Sequence, residues 1–180
     1  MRLPGFLLTL AATTSFLAFP LHANPRDNPQ IDYSGFLDLS SEVSMVRAER
    51  LIDLAEFRAR AARSGTLILD TRSAAAFAEG HMAGAVNLPF SDFTDSKLRA
   101  VIGDDPDREI LIYCNNNFSN NIPPIITKRA PLALNIPTFI NLYGYGYRNI
   151  YELGEIVDLY DPIVQWVSDE RGFRGLSGQP

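Results

Sequence analysis

One cysteine, Cys114, is all that the 180 residues contain, and histidine occurs only twice. A single thiol excludes any disulfide within the chain. The absence of Cys-x-x-Cys and of Cys/His clusters argues against a zinc site or a dithiol redox motif. Basic residues are also scarce: 16 Lys and Arg stand against 21 Asp and Glu, a net charge of −5. This acidic balance argues against a nucleic acid or an anionic membrane surface as partner. Beyond the first 20 residues no apolar run is long enough to span a bilayer. Internal repeats and low-complexity segments are absent.

What is present begins with a targeting pattern. Arg2, the nearly uncharged run Leu3–Phe19, Pro20 and then Leu21-His22-Ala23 have the organisation of a secretory signal peptide cut after Ala23. The run is about the shortest that would anchor in a membrane, and Pro20 with Ala23 favours its removal. Cleavage would leave 157 residues with a net charge of −6, enough for one domain with its own core. The expected protein is periplasmic or secreted, with no stable membrane insertion after signal cleavage. Its expected organisation is a signal peptide at 1–23, an N-terminal arm at 24–45, a domain at 46–168 and a mobile tail at 169–180 with three spaced glycines.

Apolar patterning sets the fold class. The arm, rich in Pro, Asp, Asn and Ser as far as about Ser41, has no clear periodicity and is expected to lie over the surface. Asp53-Leu-Ala-Glu56 reads as a helix cap, followed by Leu54, Phe57 and Ala61 at helical spacing and a stop at Ser64-Gly65. Thr66–Asp70 and Glu109–Tyr113 are apolar runs too short for helices, as expected of strands buried on both faces. Ala85–Pro89 and Arg148–Leu153 add two more strands. Ala74–Glu79 and Thr94–Ile102 read as helices. This alternation predicts an α/β fold, a mostly parallel sheet flanked by helices.

Cys114 closes one of the buried strands, and the polar loop Asn115-Asn-Asn-Phe-Ser-Asn-Asn121 follows it. The C-terminal strand edge is where open α/β sheets carry reactive groups. A buried cysteine acting as a small apolar filler is the plain alternative.

Three segments, in order, then resemble the rhodanese family of sulfurtransferases. They are Leu69-Asp70-Thr71-Arg72, the run Phe77-Ala-Glu79-Gly80-His81-Met-Ala-Gly84-Ala85-Val-Asn87-Leu-Pro89, and Ile110-Leu-Ile-Tyr-Cys114. Gly146-Tyr147-Arg-Asn149-Ile150-Tyr151-Glu-Leu153 is a weaker fourth match. The middle segment is the specific one. Together they span roughly Ile52–Trp166, so the domain at 46–168 is expected to be rhodanese-like.

The resemblance implies sulfur transfer through a persulfide on Cys114, with a small sulfur donor and a thiol acceptor as partners and no cofactor or metal. A thiolate attacks the outer sulfur of a donor, and a second thiol later removes it. Hydrogen-bond donors around the sulfur suffice, because the charge stays on sulfur throughout. Asn115, Asn116, Asn117, Phe118, Ser119 and Asn120 fall on the substrate-binding loop. Asp70, Arg72 and His81 are assigned structural or accessory places: a strand-end ion pair for the first two, packing for the third. An anion-holding Arg72 and a general base at His81 are the functional alternatives.

The chain departs from the pattern at three points. Ser119 stands where the family loop closes with an arginine, which argues for a donor less anionic than thiosulfate and against phosphatase activity. About ten extra residues, with Pro123-Pro124, separate Cys114 from Gly146; the prolines fit either the opening of a helix or an extended loop, and a helix that starts late would not aim its dipole at Cys114. Lys128 and Arg129 in that insertion are expected to be surface charges. Gly154-Glu155 replaces a pair of glycines. These departures keep a second reading open, a non-catalytic rhodanese-like module that binds a protein partner or senses redox state.

Overall fold

The computed structural model describes residues 28–168. The expected signal peptide, residues 24–27 of the arm and the expected mobile tail lie outside the described residues. The chain divides into two units at Tyr33/Ser34. In the described part of the first, Asn28 Oδ1 accepts from the Gln30 N–H at 3.0 Å.

Short apolar runs make the sheet. In chain order the elements are α1 (Tyr33–Ala48), β1 (Leu51–Ile52), α2 (Leu54–Ala61), β2 (Leu67–Asp70), α3 (Ala74–Glu79) and β3 (Gly80–Met82). Then come β4 (Ala85–Asn87), α4 (Asp95–Ile102), β5 (Ile110–Tyr113), α5 (Asn135–Gly144), β6 (Ile150–Leu153) and β7 (Trp166–Ser168). Five strands form one parallel sheet in the order β1-β6-β5-β2-β4. A separate antiparallel pair joins β3 to β7. The expected α/β architecture is thus present, with a mostly parallel sheet between helices.

Every residue of β2 and β5 is buried, so alternate side chains feed two cores. Leu67, Leu69, Ile110, Ile112 and Ile150 pack with Val43 of α1, Leu98 and Ile102 of α4, and Phe139 of α5. Ile68, Leu111, Tyr113 and Leu153 face the other way, against Phe57 of α2, Met82 of β3 and Phe118. Burying each large apolar side chain contributes about 1.5–3 kcal/mol.

Caps fix the helix starts as the sequence implies. The Asp53 carboxylate accepts from the Glu56 N–H at 2.7 Å, and Thr94 accepts from the Lys97 N–H at 3.3 Å. Helix α2 ends at Ala61, before the stop expected at Ser64-Gly65; Gly65 instead takes the turn at φ 89°.

The arm is the main correction. Within the range read as irregular, residues from Tyr33 onward form helix α1, which runs on to Ala48. Only Val43 of its sixteen residues is fully buried, so the helix carries almost no apolar stripe for a periodicity argument to find. The last turn of α1 brings Arg47 to the end of β6, where it pairs with Glu152.

Candidate active site around Cys114

Strand alternation sorts the predicted site residues onto two faces. Cys114 shares the parity of Ile110 and Ile112, whose face is the α1, α4 and α5 core. Glu152 lies opposite Ile112 in register on the neighbouring strand, and so points to the same face. Asp70 lies opposite Tyr113, on the other face.

Cys114 is 1% exposed. It opens a 3-10 turn at Asn115–Asn117 in a reciprocal cap, with the Cys114 N–H donating to Asn117 Oδ1 at 2.9 Å. The backbone N–H groups of Asn135, Asn116 and Leu134 lie near enough to the sulfur to favour its anionic form. Two of these belong to the start of α5, where the first N–H groups of a helix have no partner within the helix. Pro137, in the first turn of α5, has no N–H to place and a φ suited to that position. Of the two readings of Pro123-Pro124, the structure has an extended segment and a helix that begins only at Asn135, and the N-terminus of that helix reaches the cavity beside the sulfur. Burial pushes the Cys114 thiol above its ordinary value; the three N–H groups oppose this, and the nearby Glu152 charge adds to it.

The loop asparagines act mostly as staples. Asn115 Nδ2 donates to Ile126 O at 2.8 Å. Asn116 donates to Lys128 O at 2.7 Å and accepts from Lys128 N–H at 3.0 Å, folding the inserted segment back along the loop. Asn117 donates to Leu153 O at 2.7 Å. Phe118 is buried edge-on to both Tyr113 and Trp166. Ser119 and Asn120 are tied to Val157, Asp158 and Leu159. Of the six loop residues, Asn116 and Asn117 line the cavity beside Cys114; the other four do not. Lys128 is exposed and is also absent from that lining, as is Arg129.

That cavity holds about 160 Å³, below the usual range for ligand pockets of roughly 300–1,000 Å³. Its charged lining is Arg47, Glu152 and Glu155. Arg47 clamps Glu152 through two hydrogen bonds of 2.6 Å. Asn135 Nδ2 donates to Glu152 Oε1 at 3.1 Å and to Asn117 Oδ1 at 3.0 Å. Its own Oδ1 is buried without a partner. Glu155 Oε2 accepts from the Leu54 N–H at 2.8 Å, helping to cap α2.

Arg47, Asn135, Glu152 and Glu155 are the residues that sequence reasoning missed as cavity groups. Only Glu152 left a legible signal, as a carboxylate inside the buried strand Ile150–Leu153.

Asp70 and Arg72 form a buried pair on the opposite face, with Nη2 to Oδ2 at 2.6 Å. Tyr113 donates to the same carboxylate at 2.5 Å, and Arg72 donates to Gly80 O at 2.7 Å. The guanidinium lies over the Trp166 ring at 5.4 Å. This network ties β2 and β5 to the β3–β7 pair and stands away from the Cys114 cavity. His81 stacks on Phe77 at 3.8 Å, and its Nδ1 lies 2.8 Å from Phe77 O. Neither Arg72 nor His81 lines the cavity, so an anion-holding or general-base role there has no geometric support. Among the described residues no group of three or more His, Cys, Asp and Glu is placed to hold a metal ion, and no helix is long and apolar enough to cross a membrane.

A TBC domain-containing protein kinase-like protein from Mus musculus is 36% identical over 85 residues, covering 38% of this chain and 10% of that protein. The chain therefore spans about a tenth of that relative's length. Among solved structures, the rhodanese-like domain of the Alr3790 protein from Anabaena sp. is 19% identical with a TM-score of 0.47, over 73% of this chain and 84% of that one. The BH2092 protein from Bacillus halodurans is 17% identical with a TM-score of 0.43, over 65% and 74%. The family model described as Rhodanese-like domain matches residues 53–153. That match runs from the cap of α2 to the last residue of β6 and takes in the Cys114 turn between them, and the chain belongs to the rhodanese-like domain family.

Proposed function

We propose that this protein is a sulfurtransferase that carries sulfane sulfur as a persulfide on Cys114. The observation that supports the reading best is the place of Cys114 at the end of β5, capping the Asn115–Asn117 turn beside a small polar cavity lined by the start of α5, where the Asn116, Leu134 and Asn135 N–H groups favour the sulfur anion. Such donors stabilise an anionic sulfur in both the thiolate and the persulfide state, with no acid or base needed. With an organic persulfide as donor, the thiolate attacks the outer sulfur. A new S–S bond forms on Cys114, the donor's S–S bond breaks, and the donor leaves as a thiolate. A small thiol acceptor then takes the outer sulfur and returns Cys114. The N-terminal pattern from Arg2 to Ala23 supports work in the periplasm or outside the cell, where a persulfide donor or another reductant keeps a lone thiol from oxidation.

The test is intact mass after exposure to thiosulfate, mercaptopyruvate and glutathione persulfide. Wild type is expected to gain one sulfur from at least one donor, and Cys114→Ala none. No mass gain in wild type beyond that of Cys114→Ala, with all three donors, overturns the reading.

The burial of Cys114 favours one alternative, a non-catalytic module that binds a protein partner or senses redox state. A thiol closed to small donors, yet alkylated once the inserted segment is loosened, would support it.

A further inference from the structure

The cavity beside Cys114 is unusual in its charge. Where the family resemblance calls for a loop arginine, this chain has Ser119, exposed and turned to Val157. The one guanidinium lining the cavity comes from α1, and it is already engaged: both hydrogen bonds from Arg47 end on Glu152. Glu152 is the more deeply held partner, its side chain 5% exposed against 30% for Arg47. Glu155 adds a second carboxylate to the lining. Two carboxylates against one guanidinium leave the lining formally negative, with only the N–H groups of Asn116 and the start of α5 to oppose them.

The orientation of this group is locked. Asn117 Oδ1 accepts from Cys114 N–H, so its Nδ2 must face the Leu153 carbonyl. Asn135 Nδ2 then meets two acceptors, Asn117 Oδ1 and Glu152 Oε1, which leaves Asn135 Oδ1 as a buried acceptor with no donor. A site lined by carboxylates, with an unpartnered amide oxygen on one of its lining residues, suits an incoming group that donates a hydrogen bond. It suits a dianion poorly.

We propose that Glu152, clamped by Arg47, is the specificity-determining residue of this cavity: it turns away dianionic sulfur donors and admits sulfane sulfur on a donor of low charge that presents an S–H, an organic hydropersulfide. The inference rests on the sulfur-carrier reading above. With thiosulfate, attack of the Cys114 thiolate on the outer sulfur would expel sulfite; with a hydropersulfide it expels a thiolate and leaves the proton on the transferred S–H. The first route brings two negative charges toward Glu152, the second at most one.

The experiment compares rates of sulfur loading on Cys114, by intact mass, from thiosulfate and from cysteine hydropersulfide. The proteins are wild type, Glu152→Gln and Arg47→Gln. The ratio of the two rates is the readout, because a changed thiolate fraction affects both donors alike and divides out. Glu152→Gln frees Arg47 and is expected to raise the thiosulfate-to-hydropersulfide ratio about tenfold, the scale of one nearby charge in a partly screened site. Arg47→Gln leaves Glu152 unopposed and is expected to lower the ratio about threefold. The second variant alters the more exposed partner, so it keeps the inference testable should Glu152→Gln fail to fold. A ratio unchanged in the folded variants overturns the selection role and leaves the carrier reading standing. Loading from neither donor in any of the three proteins overturns the selection role, and the carrier reading falls with it when mercaptopyruvate also fails to load wild type.

Discussion

The Asn135 side chain donates to Glu152 at 3.1 Å, so the first residue of α5 is tied to the strand next to the one that delivers Cys114. That bond, with the one to Asn117, aims the start of the helix at the sulfur. The inserted segment between them has no strand or α-helix of its own. Side-chain amides hold its course where a shorter connection would rely on the chain itself.

Asn117 is the centre of this arrangement. Its alanine variant leaves the Cys114 N–H and the Leu153 carbonyl without their partner, at a cost of about 1–3 kcal/mol for each buried group. Urea unfolding is expected to show a midpoint lowered accordingly. Asn120→Ala, which alters a more exposed contact with Asp158, is expected to change the midpoint far less.

Reactivity of Cys114 is expected to be low at neutral pH. Burial holds its thiol above the ordinary value, so the thiolate fraction at pH 7 is smaller than for free cysteine. Iodoacetamide rates are expected to climb through a midpoint above that of a free cysteine peptide, because burial raises the thiol. The stability linkage has a definite sign. The protonated thiol is favoured in the fold, so its contribution is complete below the unfolded-state value and fades as pH rises through the raised one. A midpoint below that of a free cysteine peptide would contradict this account.

The staples of the inserted segment control access. In the double variant Asn115→Ala, Asn116→Ala, the anchors at Ile126 and Lys128 are lost. Hydrogen exchange is expected to accelerate across residues 121–134, and Cys114 alkylation to quicken several-fold at fixed pH. Protection unchanged from wild type would show that packing of Ile125, fully buried in the second core, holds the segment alone.

The Asp70–Arg72 pair is structural, and its removal separates stability from chemistry. Arg72→Met leaves a buried carboxylate without its cation, a loss of about 3–5 kcal/mol. Because the pair faces away from the Cys114 cavity, the alkylation profile of the folded fraction is expected to match wild type. A shift in the Cys114 midpoint would return Arg72 to the site.

Gly80 tests the junction of β3 with β7. A Cβ there would stand 2.6 Å from the Trp166 indole nitrogen. Gly80→Ala is expected to lower stability by about 1–3 kcal/mol, the usual range for overpacking. Trp166→Leu in the same chain is expected to restore part of the loss.

Much of the domain was legible because its signals are local. The four-residue strands β2 and β5 announce themselves as apolar runs, and Asp53 and Thr94 mark helix starts through contacts three residues away. The strand-end position of Cys114 and the loop after it follow from the same patterning. Three strands, β1, β3 and β7, and two helices leave no such signal. Strand β1 is two residues long, β7 pairs with β3 across more than eighty positions, α5 lacks a side-chain cap, and α1 has no apolar stripe. Tertiary structure alone decided what surrounds the sulfur. It brought Arg47 and Glu152 into one ion pair, put the loop asparagines to use as staples, and set Asp70 and Arg72 on the far side of the sheet. Sequence determines such groupings only through the whole fold, because a buried charge takes its partner from whichever element packs against it. The composition of the loop after Cys114 pointed to amides in place of an arginine; the fold put most of those amides to structural use and left Arg47 and Glu152 to set the charge of the cavity.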